Sequence, residues 1–242
     1  MLRKFFVAVF AVSVGATALV GCGSEKDGDE AFGGKSADTI AADAVKATRD
    51  TTSLRVAGNT RQPDGNELGL DFQVDEKDRC KGEMSGKGAK ADVLQVGQSV
   101  YVRGDEKFWQ NSLQGKPGTD GVVKQLQDKW VKSEPGQAGT EGMCDKQALL
   151  ASLDGDKSER EGLKKGDTTE IDGRSALALE KEKAGGEKIT MYVATEGKPY
   201  ILKAVTKGGK APGEVTLSDF DKEFDVQEPA AGDVVDPKKI TP

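Results

Sequence analysis

The sequence predicts an α+β fold, an antiparallel sheet of about ten strands with helices covering one face. Two blocks of period-two hydrophobicity, each punctuated by Gly- and Asp-rich turns, supply the strands. A stretch of helical patterning lies between the blocks, and one amphipathic helix precedes the first. Successive hairpins make the sheet antiparallel, and the helices must bury their apolar stripes against it.

The elements follow in chain order. Ser36 reads as an N-cap, and Ile40, Ala41, Ala44, Val45 and Thr48 share one stripe, so residues 37–50 form a helix. In Glu67–Asp75, Leu68, Leu70, Phe72 and Val74 alternate with polar residues or glycine, a strand with one buried and one wet face. The turn Pro63-Asp64-Gly65-Asn66 joins it to a strand over 54–61 as a hairpin. Further strands are read over 79–85, 92–96 and 99–103, separated at Gly86, Gly88 and Gly97. From about 105 to 166 the pattern turns helical: Phe108, Trp109 and Leu113 share a face, as do Val122, Val123 and Leu126. Asp145 then caps a helix carrying Leu149, Leu150 and Leu153. Strands resume over 168–171 and 174–180 around Asp172-Gly173, then over 188–195, 200–207 and 215–220.

The N-terminus stands apart from this pattern. Arg3 and Lys4 precede an uninterrupted run of 16 apolar and small residues, 5–20, followed by Gly21-Cys22. That is the layout of a secretory signal; a spanning helix needs about 20 apolar residues. Leu19-Val20-Gly21-Cys22 resembles the lipobox of bacterial lipoproteins. The resemblance implies that residues 1–21 are removed and that Cys22 takes a diacylglyceryl thioether, anchoring the protein to the outer face of the membrane. Its expected partner is therefore the lipid bilayer. Residues 22–35, rich in Gly, Asp, Glu and Lys, read as a flexible tether, 36–235 as a single domain, and 236–242 as a tail.

Lipidation of Cys22 leaves Cys80 and Cys144, and an even pair in an oxidising setting reads as a disulfide, with two buried thiols as the alternative. The formal charge is −6, and −8 without the leader, so nucleic acid is not an expected partner. With no histidine in the chain, Ser-His-Asp and Cys-His catalysis and histidine-bearing zinc sites are excluded. A carboxylate pair could serve glycosidase chemistry, but among 41 acidic residues solvated surface charge is the better reading. Gly34-Lys35-Ser36 looks like the end of a phosphate loop, yet Asp29 stands where the pattern needs glycine. Asp154-Gly155-Asp156-Lys157-Ser158 looks like a calcium loop, yet Glu159 and Lys165 occupy its sixth and twelfth positions. No cofactor and no enzymatic activity are expected.

The segment Val96-Gly97-Gln98-Ser99-Val100-Tyr101-Val102-Arg103, followed by Phe108-Trp109, is similar to the mid-domain strand pair and first lid helix of the LppX/LprAFG lipoproteins of the LolA-like superfamily. Residues 220–235, with Glu228-Pro229 and Asp233-Val234-Val235, also resemble the ending of that group. The resemblance implies a bent half-barrel with helices over its concave face, enclosing an apolar cavity for a lipid or glycolipid. Candidate lining residues are Phe72, Val100, Val102, Phe108, Trp109, Leu113, Trp130, Met191 and Val193, each of which ordinary core packing also explains. Trp109 is the strongest, because a lid helix sets it over the concave face. The polar sheet, and only ten aromatic residues outside the leader, argue for a small or closed cavity. Two functions follow: a lipid or amphiphile carrier, or a surface interaction or sensing module with a filled core.

Overall fold

The computed structural model describes residues 31–62, 64–115, 118–133, 142, 144–151, 160–236 and 240. The leader, Cys22, most of the tether, Leu153 and the calcium-like segment 154–158 lie outside these residues.

Helix α1 (Ala37–Arg49) begins where the sequence sets a cap: Ser36 Oγ accepts from the Thr39 N–H at 3.2 Å. Asp38 in its first turn and Lys46 and Arg49 in its last complement the helix dipole. Its stripe of Ile40, Ala41, Ala44, Val45 and Thr48 is buried. Near the start of α1, Asp38 Oδ1 accepts from the Leu163 N–H at 3.1 Å, and near its end Thr48 Oγ1 accepts from the Ile201 N–H at 3.0 Å.

One twelve-stranded sheet follows. β1 (Ser53–Arg61), β2 (Glu67–Asp75), β3 (Arg79–Gly86), β4 (Ala89–Val96) and β5 (Ser99–Gly104) form a meander, extended by β6 (Trp130–Ser133). A second meander runs through β7 (Lys164–Ile171), β8 (Arg174–Glu182), β9 (Lys188–Ala194), β10 (Ile201–Lys207) and β11 (Gly213–Ser218). Pairing of β11 with β1 fuses the two. β12 (Val234–Val235) adds to β6 in parallel; every other pairing is antiparallel. The sequence implied about ten strands. β6 and β12, four and two residues long, are too short for alternation to reveal them.

Register places one apolar set on the inner face. Val56 lies opposite Phe72 and Leu217, and Val93 opposite Val102. Phe72, Val74, Val93, Leu179 and Val193 are fully buried there, each contributing roughly 1.5–3 kcal/mol by leaving water. The sheet curls around this face, and glycines permit the close approach of backbones. A Cβ on Gly58 would stand 2.1 Å from the Glu214 carbonyl oxygen, and one on Gly82 would stand 2.2 Å from that of Asp71.

Among the described residues, four α-helices close the inner side. α1 packs over β7, β9 and β10, and α2 (Glu106–Ser112) over β4 and β5 with α3 (Thr119–Leu126) beside it. α4 (Lys146–Ala151) lies next to α1 and is tied down twice. Cys144 forms a disulfide with Cys80 of β3, their Cα atoms 5.3 Å apart. The buried Lys146 ammonium donates to the carbonyl oxygens of Arg49, at 3.0 Å, and Thr51, covering the C-terminal end of α1. Phe32, in the stretch expected to be tether, packs against the core, and so does Ile240 in the expected tail.

After β11 the chain straps the sheet from outside. Asp221 accepts from the Thr52 N–H and the Tyr200 hydroxyl, each at 2.8 Å, and Phe220 stacks on Tyr200 with ring centres 4.2 Å apart. Phe224 then passes beneath Arg79 and Lys81 before β12 docks at Trp130. Over the second meander Ala176, Ala194, Tyr200 and Leu202 form a small apolar cluster with Phe220, while the outer face of the first is polar, with Arg55 paired to Asp71 and Arg103 to Asp92.

Candidate functional site

The sheet has a base, where β1 starts at Ser53, and a rim, where the β1–β2 and β3–β4 turns and the N-terminal end of α2 meet. The first turn is closed by the Gln62 N–H donating to Asn66 O at 2.7 Å and by Asp64 Oδ1 accepting from the Asn66 N–H at 3.0 Å. Hydrogen bonding to the Asn66 side chain and then to its backbone N–H, with Lys87 nearby, holds the Asp64 carboxyl below the usual carboxylate range. The β3–β4 turn is a two-residue loop in which both Lys87 (φ 53°) and Gly88 (φ 71°) are left-handed, the conformation that tight hairpins require.

α2 is fixed to this rim by Asp105. One carboxylate oxygen caps the helix by accepting from the Phe108 N–H at 2.7 Å, and the other accepts from the Lys90 N–H at 3.0 Å. Phe108 is thereby laid over Gly104, whose missing side chain makes room for the ring: a Cβ there would stand 2.2 Å from Phe108 Cδ1. Trp109 follows, 7% exposed, its ring edge-on to Phe108 at 5.0 Å.

Between α2 and the two hairpin tips lies an open groove of about 270 Å³, floored by Leu68, Met84 and Ala89 and walled by Phe108, with Asn111 and Ser112 at its border. Leu68, Met84 and Phe108 are only half-buried. One ring deeper, the buried Nε1 of Trp109 has no hydrogen-bond partner among the described residues. An unsatisfied buried donor costs about 1–3 kcal/mol; Trp109 itself does not line the groove.

Most of the expected lining residues converge on one core cluster. Phe72, Val100, Val102 and Val193 are at most 1% exposed on the inner face, with Met191 and Trp109 at 7%. Phe108 and Leu113 pack against this cluster from α2 and its C-cap while remaining partly exposed. Trp130 stands elsewhere. It points outward beneath Arg103, whose guanidinium lies 4.6 Å from the ring centre, at an open depression of about 630 Å³ on the polar face. Leu68 and Met84 were visible in the sequence only as alternating strand residues. The phosphate-loop lookalike resolves into helix capping by Ser36 and an ion pair of Lys35 with Asp43 at 2.7 Å. Among the described residues, no group of three or more His, Cys, Asp or Glu could hold a metal ion, and no helix is long and apolar enough to cross a membrane.

No protein-family model and no curated protein sequence matches the chain. Solved structures do. The crystal structure of LprF from Mycobacterium bovis aligns with a TM-score of 0.55 at 15% identity, over 81% of this chain and 97% of that one. The Mycobacterium tuberculosis lipoprotein LppX aligns with a TM-score of 0.48 at 18% identity, over 78% of this chain and 97% of that one. What the LprF alignment shows is the fold: this chain is an α+β protein with the architecture of LprF, an open curved sheet with helices on its concave face.

Proposed function

We propose that the protein is an extracytoplasmic lipoprotein, held to the membrane through acylated Cys22, that binds the acyl part of an amphiphile and catalyses no reaction. In this reading residues 1–21 are the cleaved leader and Cys22 begins the mature chain. The observation that carries it is the half-buried apolar groove at the rim. Apolar burial supplies the binding free energy, about 25 cal/mol per Å² of surface removed from water. At about 270 Å³ the groove lies at the lower bound for ligand pockets. A long chain must therefore displace α2 and α3 from the inner face as it enters.

The test is native mass spectrometry of the full chain purified from bacterial membranes in a mild non-ionic detergent. Retained lipid is expected in the wild type, with a substantial loss in Met84→Glu, which sets a charge in the groove floor. Protein carrying no lipid beyond its own anchor, or equal retention by Met84→Glu, overturns the reading.

A second reading, a surface interaction module with a filled core, draws on the outer depression where Trp130 and Arg103 meet Asp92 and Lys81. Capture of a cell-envelope partner that Trp130→Ala abolishes and Met84→Glu leaves intact would select it.

A further inference from the structure

Three glycines on β3 and β5 face inward, and they differ in what covers them. Gly82 stands opposite Phe72 and Val93, Gly104 opposite Ala91, and Gly86 opposite Leu68 and Ala89. Phe72 fills the room over Gly82, where its Cδ1 lies 2.6 Å from the place a Cβ would occupy. Phe108 fills the room over Gly104 in the same way. Over Gly86 a Cβ would meet nothing closer than the Glu67 carbonyl oxygen at 3.4 Å and Leu68 Cδ1 at 3.6 Å. Gly86 lines the groove, so the groove includes the space that a side chain at this position would take.

That space is bounded on two sides. Along β3 toward the core, beyond Met84, Phe72 and Val93 are fully buried and close the inner face. On the side of α2, Asp105 fixes the first turn to the Lys90 N–H and so holds Phe108 over Gly104. At roughly 30 Å³ each, about the share of a water in the liquid, about nine methylenes fill the groove of about 270 Å³. Carbons beyond those would lie against amides and hydroxyls or in water and gain no burial. The border is balanced in charge. It carries one acid, Glu67, and one base, Lys87, and is otherwise amide and hydroxyl, with Gln62 and Asn111 at the lip.

We infer that the ligand is an amphiphile with one short acyl chain, about nine carbons long, and an uncharged head, and that Gly86 sets the chain length. The inference rests on the groove reading above and specifies its ligand as one that enters with α2 in place. A balanced border matches a head without net charge, since a charged head would shed water there with no unopposed partner to replace it.

The experiment uses the full acylated chain in phospholipid nanodiscs, dialysed against monoacylglycerols of rising chain length at fixed free concentrations, with occupancy read by native mass spectrometry. A methylene half covered in an open groove tightens binding about two-fold, so the wild type should gain about ten-fold from hexanoyl to decanoyl glycerol. From decanoyl to tetradecanoyl the affinity should stay level. Gly86→Leu, whose side chain takes up most of the groove, should bind the decanoyl and hexanoyl compounds alike. Gly86→Ala, whose methyl stands in ordinary contact, covers the case in which the leucine does not fold; its decanoyl affinity should fall about two-fold. Decanoate and decylammonium should bind no tighter than decanoyl glycerol. Affinity that climbs on to the tetradecanoyl compound, a decanoyl preference untouched by both Gly86 variants, or tighter binding of either charged decyl compound overturns the inference and leaves the groove reading standing. Binding of none of the series overturns both.

Discussion

Replacing Lys146 with methionine removes an ammonium group from the junction of α4 with α1 while keeping most of the stem that packs there. In the wild type this buried group donates to the Arg49 and Thr51 carbonyl oxygens at the C-terminal end of α1. A hydrogen bond from a charged donor contributes about 1.5–3 kcal/mol, and stranded carbonyls add desolvation cost where water cannot reach them. Allowing for partial access of water at the helix end, the expected loss is about 3 kcal/mol. For a domain of this size that corresponds to a fall in Tm of roughly 6–12 °C. Thermal unfolding followed by circular dichroism measures it, with the urea midpoint as a second reading. Gln147→Ala serves as the neighbour control, since Gln147 is exposed and reaches Arg49 O only at 3.5 Å. A K146M Tm within about 1 °C of wild type, against the several degrees expected for domains of this size, would refute the assignment of Lys146 as the clasp.

The remaining predictions are simpler. Cys80→Ser should lower stability by up to about 4 kcal/mol, the chain-entropy value for a loop of this length, and urea midpoints under oxidising and reducing conditions should converge in the variant alone. Asp221 is held below the usual aspartate range by the Thr52 N–H and then the Tyr200 hydroxyl, with Lys198 adding to them. Its contribution is thus complete above the unfolded value of about 3.9 and lost as pH falls through the lower folded value, so Asp221→Asn should flatten the decline of Tm below about pH 4. Gly58→Ala should leave little soluble protein, since its methyl would collide with the Glu214 backbone. Gly97→Ala, which meets nothing within 4 Å but has a φ of 58°, should cost only about 1 kcal/mol, read as a small shift in urea midpoint.

How much was legible in the sequence depended on whether the signal was local. Alternation in Glu67–Asp75 and the Ser36 cap each fixed an element correctly, because both are decided within a few residues. Pairing of β11 with β1 was invisible, since no short-range pattern specifies which strands of two meanders meet. Phe72, Val100, Val102, Met191 and Val193, named as candidate lining because of the family resemblance, lie buried in one core cluster. Trp130 broke ranks because β6 is only four residues long: with Val131 turned inward, its neighbour had to face out. The groove is a tertiary property, so Leu68 and Met84 could not be told from ordinary core.

The direction of α1 bears on how the molecule would sit at a bilayer. Its first turn bonds to Leu163 just before β7, at the rim end of the sheet, and its last turn reaches the base beside Ile201. The chain preceding α1 therefore departs from the end that holds the groove. Under the proposed acylation of Cys22, only 13 residues, 23–35, separate the anchored cysteine from the Ser36 cap, and Phe32 among them packs against the core. A connection that short would hold the mouth toward the lipid surface and turn the base outward, so that a lipid would pass between bilayer and groove without the protein leaving the membrane or turning over.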